Sequence, residues 1–414
     1  MPKHDREPVR ASRSPNGDWY PAALPARTSV LSQLLFTSDG AATRGTLYHI
    51  PGASSVVAIM HPRSDASRHY LIPALLEAGF SVWTQLGRSG SGDLQLVHEL
   101  ALLDIATGME FLRERGYDNV ICLGNSGGAS LYSFYIDQAT RRPDDRILVT
   151  PGGRASGLEH ALMPDVDGVV YVAPHPGQGA LLLECIDPSV VDEQDPLSVQ
   201  PELDLFNPDN GFVSAPDSSS YSAHFLARYR SAQRERVARI DAYARECIEG
   251  RRAARARFER HGQLDDQRAA TYLPVVNVAR TDADPRTVDL SLDPSDRGYG
   301  SVFGHRPHVT NYGLIGFGRM TTPEAWLSTW SGLSSNAQLA RTAASIRCPA
   351  LVVQYTGDKC VFPSQTARIA ADLGSADKTN VQVSADHFGK PIGSGVPHED
   401  AAPLIQQWLQ ARFG

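Results

Sequence analysis

A serine, an aspartate and a histidine each stand just past an apolar run in this chain, and these three residue types together can carry out acyl transfer. Ser126 lies in ICLGNSGGASLYSF (residues 121–134), between Gly124 and the pair Gly127–Gly128. Asp358 follows the apolar run of LVVQYTGDK, and His387 follows that of VQVSADHFG. A serine hydroxyl is a weak nucleophile by itself. It needs a base to take its proton, and the base needs a carboxylate to fix its tautomer. The glycines fit the same chemistry. G-x-S-x-G between a strand and a helix makes a tight turn that holds the hydroxyl out, and the helix then aims its first N–H groups at the site. The N–H of Gly127 is one natural oxyanion donor. The competing reading of these glycines is a plain strand-to-helix turn. A rival serine cluster, GRSGSGD (87–93), reads G-x-S-x-S and suits a βα loop. His398 has no strand immediately before it, and Asp386 is too close in sequence to orient His387.

These residues must be positioned by the surrounding elements. SVLSQLLFTS and ATRGTLYHI, separated by DGA, read as a hairpin. SSVVAIMHP and FSVWTQL are continuous apolar strands, as expected when both sheet faces are covered. SRHYLIPALLEAG, LQLVHELALLDIATGMEFLRERG and GGASLYSFYIDQA carry helical spacing. Strand and helix in alternation give an α/β class, a mostly parallel sheet with helices on both faces. DGVVYVAPHPGQG (168–180) is one more central strand and its loop. The rhythm then breaks. A helical pattern runs from about 221 to 261, with apolar residues at spacings of three and four and an interruption at Gln233. The alternation returns at CPALVVQYTGD. Asp358 and His387 are 29 residues apart, room for one helix and one strand, so both loops open at the same sheet edge as Ser126.

Composition narrows the function. The chain has 414 residues, 42% hydrophobic and 21% charged, with a formal net charge of −7. Such a balance disfavours nucleic-acid and anionic-membrane partners; RRAARARFER (251–260) reads as a solvated helix face. Five scattered cysteines without a CxxC pair give no disulfide framework. With no apolar leader and no apolar run of membrane-spanning length, the expectation is a cytoplasmic protein. His305 and His308 lack further ligand-type neighbours, so no metal and no cofactor is expected.

At these residues the chain resembles the α/β-hydrolase superfamily, over roughly residues 30–175 and 346–414. GNSGG, TGD and DH occur in that order, together with IMHPRSD and QLGRSGSGD. The resemblance implies an α/β-hydrolase fold, with Ser126 as nucleophile, Asp358 as acid and His387 as base. It also implies a second oxyanion donor after the third strand. Proline stands in that loop where the family has glycine, and proline has no N–H; the role carries over to Arg63, with Ser64 as the alternative. A serine rather than an aspartate at the elbow argues against epoxide hydrolases and haloalkane dehalogenases.

The interval from Ser126 to Asp358 is 232 residues. The excess points to an insertion over the sheet edge, a mainly helical cap that excludes water and supplies the pocket. The expected organisation is an N-terminal arm (1–28), a first core part (29–180), the cap (181–345) and a second core part (346–414). Trp326 and Trp330, four apart, suit either cap packing or a wall for a bulky acyl group. His175 and Gln178 are candidates for the pocket lining, and the Arg63 guanidinium for a substrate carboxylate. The long helix suits either a homodimer contact or packing against its own core. The expected function is hydrolysis of a small or medium-sized, aromatic-tolerant carboxylic ester through an acyl-enzyme. Carbon–carbon, amide or thioester cleavage by the same three residues is the alternative. A non-catalytic ligand-binding protein on the same fold is the reading outside enzymes.

Overall fold

The computed structural model describes residues 24–393 and 398–414. The expected N-terminal arm therefore falls outside the described residues over positions 1–23. Eight strands form one sheet: β1 (Ser29–Phe36), β2 (Ala42–His49), β3 (Ser55–Met60), β4 (Ser81–Leu86), β5 (Asn119–Asn125), β6 (Gly168–Val172), β7 (Ala350–Tyr355) and β8 (Lys378–Val383). Their order is β1-β2-β4-β3-β5-β6-β7-β8. β2 runs antiparallel to both neighbours, and every later pair is parallel.

The central strands are buried, with only the two ends of β5 partly exposed, because helices cover both faces. On one face lie α2 (His98–Glu114) and α3 (Gly127–Ala139), which pack Leu102, Ile105, Leu131 and Phe134 onto Val56, Cys122 and Val169. On the other lie α1 (Ile72–Glu77) and the C-terminal α8 (Ala402–Phe413), which pack Leu75, Ile405 and Leu409 onto Val57, Leu123 and Val353. β1 is different. It stands at the sheet edge with Val30, Leu34 and Phe36 exposed, and its outer side has no strand partner among the described residues.

The apolar pattern begins a helix at Leu94, yet α2 starts at His98. The backbone just before it is committed to the insertion: Thr322 N–H donates to Leu94 O at 2.8 Å and Thr329 Oγ1 to Leu96 O at 2.6 Å, while Ser328 Oγ accepts from His98 N–H at 2.9 Å.

After β6 the chain leaves the sheet through α4 (Gln178–Cys185) and returns at β7. Between them α5 (Ala223–His261) runs unbroken for 39 residues, followed by α6 (Leu264–Thr271). Ser222 caps α5 by accepting from Phe225 N–H at 3.1 Å, and Gly262 closes it in the left-handed conformation at φ 65°. The interruption expected at Gln233 is absent. Gln233 is buried, and its amide donates to the carbonyls of Glu184 and Ile186, each at 2.8 Å. A polar residue satisfied in this way keeps its place on a buried face. Val237, Ile240 and Ala244 of α5 join Leu181, Leu182, Trp326 and Trp330 in a core belonging to the insertion. Residues 272–320 run mostly as loops and single turns. β7, α7 (Pro363–Asp372), β8 and α8 complete the sheet and its cover.

Candidate active site

Ser126 joins β5 to α3 at φ 53° and ψ −119°, a conformation that costs a non-glycine residue of order 1–3 kcal/mol. Its neighbours hold it there. Ser126 N–H donates to Val172 O of β6 at 2.9 Å. A Cβ on Gly124 would lie 2.5 Å from the Ala129 Cα, and one on Gly128 would lie 2.6 Å from the Met60 carbonyl of β3. Only glycine lets β5, its turn and β3 approach this closely. Gly127 is the first residue of α3, so its N–H has no intrahelical acceptor.

Asp358 and His387 come to the serine from the loops after β7 and β8. Asp358 is buried. Its Oδ1 accepts from Cys360 N–H at 2.7 Å and Val361 N–H at 3.0 Å, which leaves Oδ2 to His387 Nδ1 at 2.7 Å. On the other side of the ring, His387 Nε2 lies 3.1 Å from Ser126 Oγ. With Nδ1–H donating to the carboxylate, Nε2 is free to accept the serine proton. Burial alone would lower the pKa of His387, but the charge and hydrogen bond of Asp358 outweigh it and hold the pKa above the ordinary imidazole value of 6.5. Asp386 caps its own loop by accepting from Phe388 and Lys390 N–H.

Arg63 differs from its expected role. Its N–H donates to His61 Nδ1 at 3.1 Å, so that donor is already engaged. Its guanidinium forms a bidentate pair with Asp93, both contacts at 2.7 Å, donates to Gly316 O at 3.2 Å, and lies 4.8 Å from the Trp330 ring centre. It is therefore committed within the protein rather than open to a substrate carboxylate.

A cavity of about 420 Å³ opens above Ser126 and His387. Its polar floor includes His61, Asn125, His175 and Gln178. Phe303, Ile315, Phe317 and Trp330 of the insertion form the apolar side. Trp330 thus lines the cavity. Trp326 does not: its indole N–H donates to Asp241 Oδ1 at 2.7 Å within the insertion core. Both tryptophans belong to the same insertion core, and residues 326–330, which join them, form a π-helical turn. His308, one of the two histidines weighed for a metal, packs its ring against Phe206 and Phe212.

Sequence reasoning gave His61 no site role and did not single out His69. Burial lowers the pKa of both, to about 3 for His61, where Arg63 adds to the effect, and to about 4 for His69. His69 Nε2 lies 3.3 Å from the Oδ1 of Asn125, the residue before the serine. For His61 the available signal was a dipeptide, His-Pro, that recurs at His175 after another central strand; His69 lies in no such repeat.

No family model matches the chain, and no curated protein matches it. Solved structures align over nearly its whole length at low identity. DcsB, solved in complex with its substrate analogue, is 12% identical over 93% of this chain and 99% of its own, with a TM-score of 0.48. The Pyrococcus furiosus esterase Pf2001 is 12% identical over 96% of each chain, at 0.48. The α/β hydrolase GrgF from Penicillium sp. sh18 is 11% identical over 93% of this chain and 99% of its own, at 0.49. The sheet itself decides the architecture: eight strands in the order above, β2 alone reversed, and a strained turn after β5 leading into a helix. The chain has the α/β-hydrolase fold.

Proposed function

We propose that this protein is a serine hydrolase that cleaves carboxylic esters through an acyl-enzyme. The observation that carries the reading is the continuous contact from Ser126 Oγ through His387 to the buried Asp358, at 3.1 and 2.7 Å. Ser126 gives its proton to His387 Nε2 and attacks the carbonyl carbon. Asp358 holds the imidazolium that forms. The N–H of Gly127 stabilises the tetrahedral oxyanion. His387 then protonates the leaving alcohol, and a water molecule activated by the same base releases the acid. Residues 181–345 act as the cap, and the apolar side of the cavity fits an acyl group of small to medium size, including an aromatic one.

A fluorophosphonate probe together with p-nitrophenyl esters of graded chain length tests this. Wild-type protein is expected to be labelled at Ser126 and to hydrolyse a short or medium ester, and Ser126→Ala to lose at least about three orders of magnitude in kcat. Near-normal hydrolysis by Ser126→Ala would sink the mechanism.

A further inference from the structure

β3 and β6 pair with β5 on its two sides, and each ends in a short turn built on His-Pro: His61-Pro62-Arg63 and His175-Pro176-Gly177. The two turns are internally alike. In each, the N–H of the residue after proline folds back onto the histidine Nδ1, Arg63 N–H at 3.1 Å and Gly177 N–H at 3.1 Å. A ring nitrogen that accepts an N–H bond carries no proton, so the proton of each ring sits on Nε2. At His61 the hydroxyl of Ser64 reinforces this, 2.8 Å from the same Nδ1.

Both rings line the cavity above Ser126, and neither Nε2 has a hydrogen-bond partner among the described residues. His175 is 3% exposed, and its Nε2 would lie 2.9 Å from a Cβ placed on Gly127. The Gln178 side-chain nitrogen would lie nearer still. Gln178 is 1% exposed, and its Oε1 is also without a partner. His61 rises from the turn whose Cα lies beside Gly128. That is also the turn from which a backbone oxyanion donor was expected, and its Arg63 N–H is engaged.

We propose that the Nε2–H groups of His61 and His175 bind two substrate oxygens from opposite sides of Ser126: His61 the oxyanion, in place of a backbone amide, and His175, with Gln178, a second acceptor oxygen close to the scissile carbonyl. The proposal rests on the serine-hydrolase reading and adds a substrate class, acyl compounds with a carbonyl or hydroxyl oxygen near the ester, such as 3-oxo acids. No proton is transferred from either ring. Burial and the surrounding positive groups keep the pKa of His61 at about 3 and that of His175 well below the ordinary value, so both stay neutral donors at physiological pH.

The test compares wild type, His61→Leu, His61→Gln, His61→Asn and His175→Leu on p-nitrophenyl butyrate and p-nitrophenyl 3-oxobutyrate. Melting temperatures check the fold. Loss of the His61 donor is expected to lower kcat by about 100-fold or more on both esters. Gln places an amide nitrogen near the Nε2 position and should recover at least about tenfold, whereas Asn places it near Nδ1 and should not. Intrinsic ester reactivity cancels when each variant is divided by wild type. His175→Leu should then lower kcat/KM at least about tenfold further on the 3-oxo ester than on the butyrate. His61→Leu within threefold of wild type, Gln no better than Asn, or His175→Leu affecting both esters alike would overturn the proposal. All three can occur while Ser126 remains essential. If His61→Leu melts early, the Gln–Asn comparison decides. A wild-type protein inactive on both esters and unlabelled at Ser126 would instead remove the serine-hydrolase reading, and this proposal with it.

Discussion

At the scale of single residues, the proposed base is held in an unusual balance. His387 is buried, which disfavours its cation, yet Asp358 at 2.7 Å raises its pKa above 6.5. A base acts only when neutral, so a raised pKa moves the acidic limb of the rate profile to higher pH. We expect kcat/KM for ester hydrolysis to rise with pH through one group with a pKa above 6.5. Asp358→Asn removes the charge that raises it. Burial then dominates, the limb shifts to lower pH, and kcat falls by roughly 10³–10⁴-fold. A full pH profile of both proteins checks this, and an unshifted limb would assign the titration to another group. These three residues were legible in the sequence because each follows an apolar strand, and parallel strands deliver their ends to one edge. The donors around them were not. Whether Arg63 N–H is open depends on a bond to a side chain two residues earlier, and strand periodicity carries no information about that bond.

At the scale of elements, the turn after β5 depends on packing that only glycine permits. Gly128→Ala places a methyl 2.6 Å from the Met60 carbonyl, which is backbone of a central strand and cannot step aside. We expect a loss of about 1–3 kcal/mol in stability, with activity falling further because α3 and β3 must separate two residues from Ser126, which lines the cavity. Chemical denaturation and ester turnover measure the two effects, and a fully active, equally stable variant would show that β3 can yield. The existence of the elements was readable from their apolar spacing, while some of their details were not. Gln233 reads as a break because the spacing rule scores polarity alone, and two carbonyl partners from α4 and the residue after it satisfy it. Trp326 and Trp330 share one core, as their spacing suggests, but only Trp330 reaches the cavity, because the Trp326 indole is engaged by Asp241.

At the scale of the molecule, one side chain links the sheet to the insertion. Arg63 leaves the loop after β3, pairs with Asp93, and lies over Trp330 and Phe317 at 4.8 and 5.5 Å. The insertion was visible in outline as the long interval before Asp358, but nothing in the spacing of residues 181–345 showed where it would be fastened. Arg63→Ala should cost about 1–2 kcal/mol and raise amide hydrogen exchange over residues 315–318 and 326–330, leaving the central strands protected. Unchanged exchange there would mean that the insertion is held without this contact.

The exposed face of β1 has a practical consequence. An edge strand with Val30, Leu34 and Phe36 exposed and an outer rim without a strand partner among the described residues is a template for another strand. In a concentrated stock such rims are expected to zip together and cloud the solution without unfolding. Leu34→Lys places a charge at the middle of that rim. Light scattering during concentration should then begin at a higher protein concentration than for the wild type, with the melting temperature unchanged.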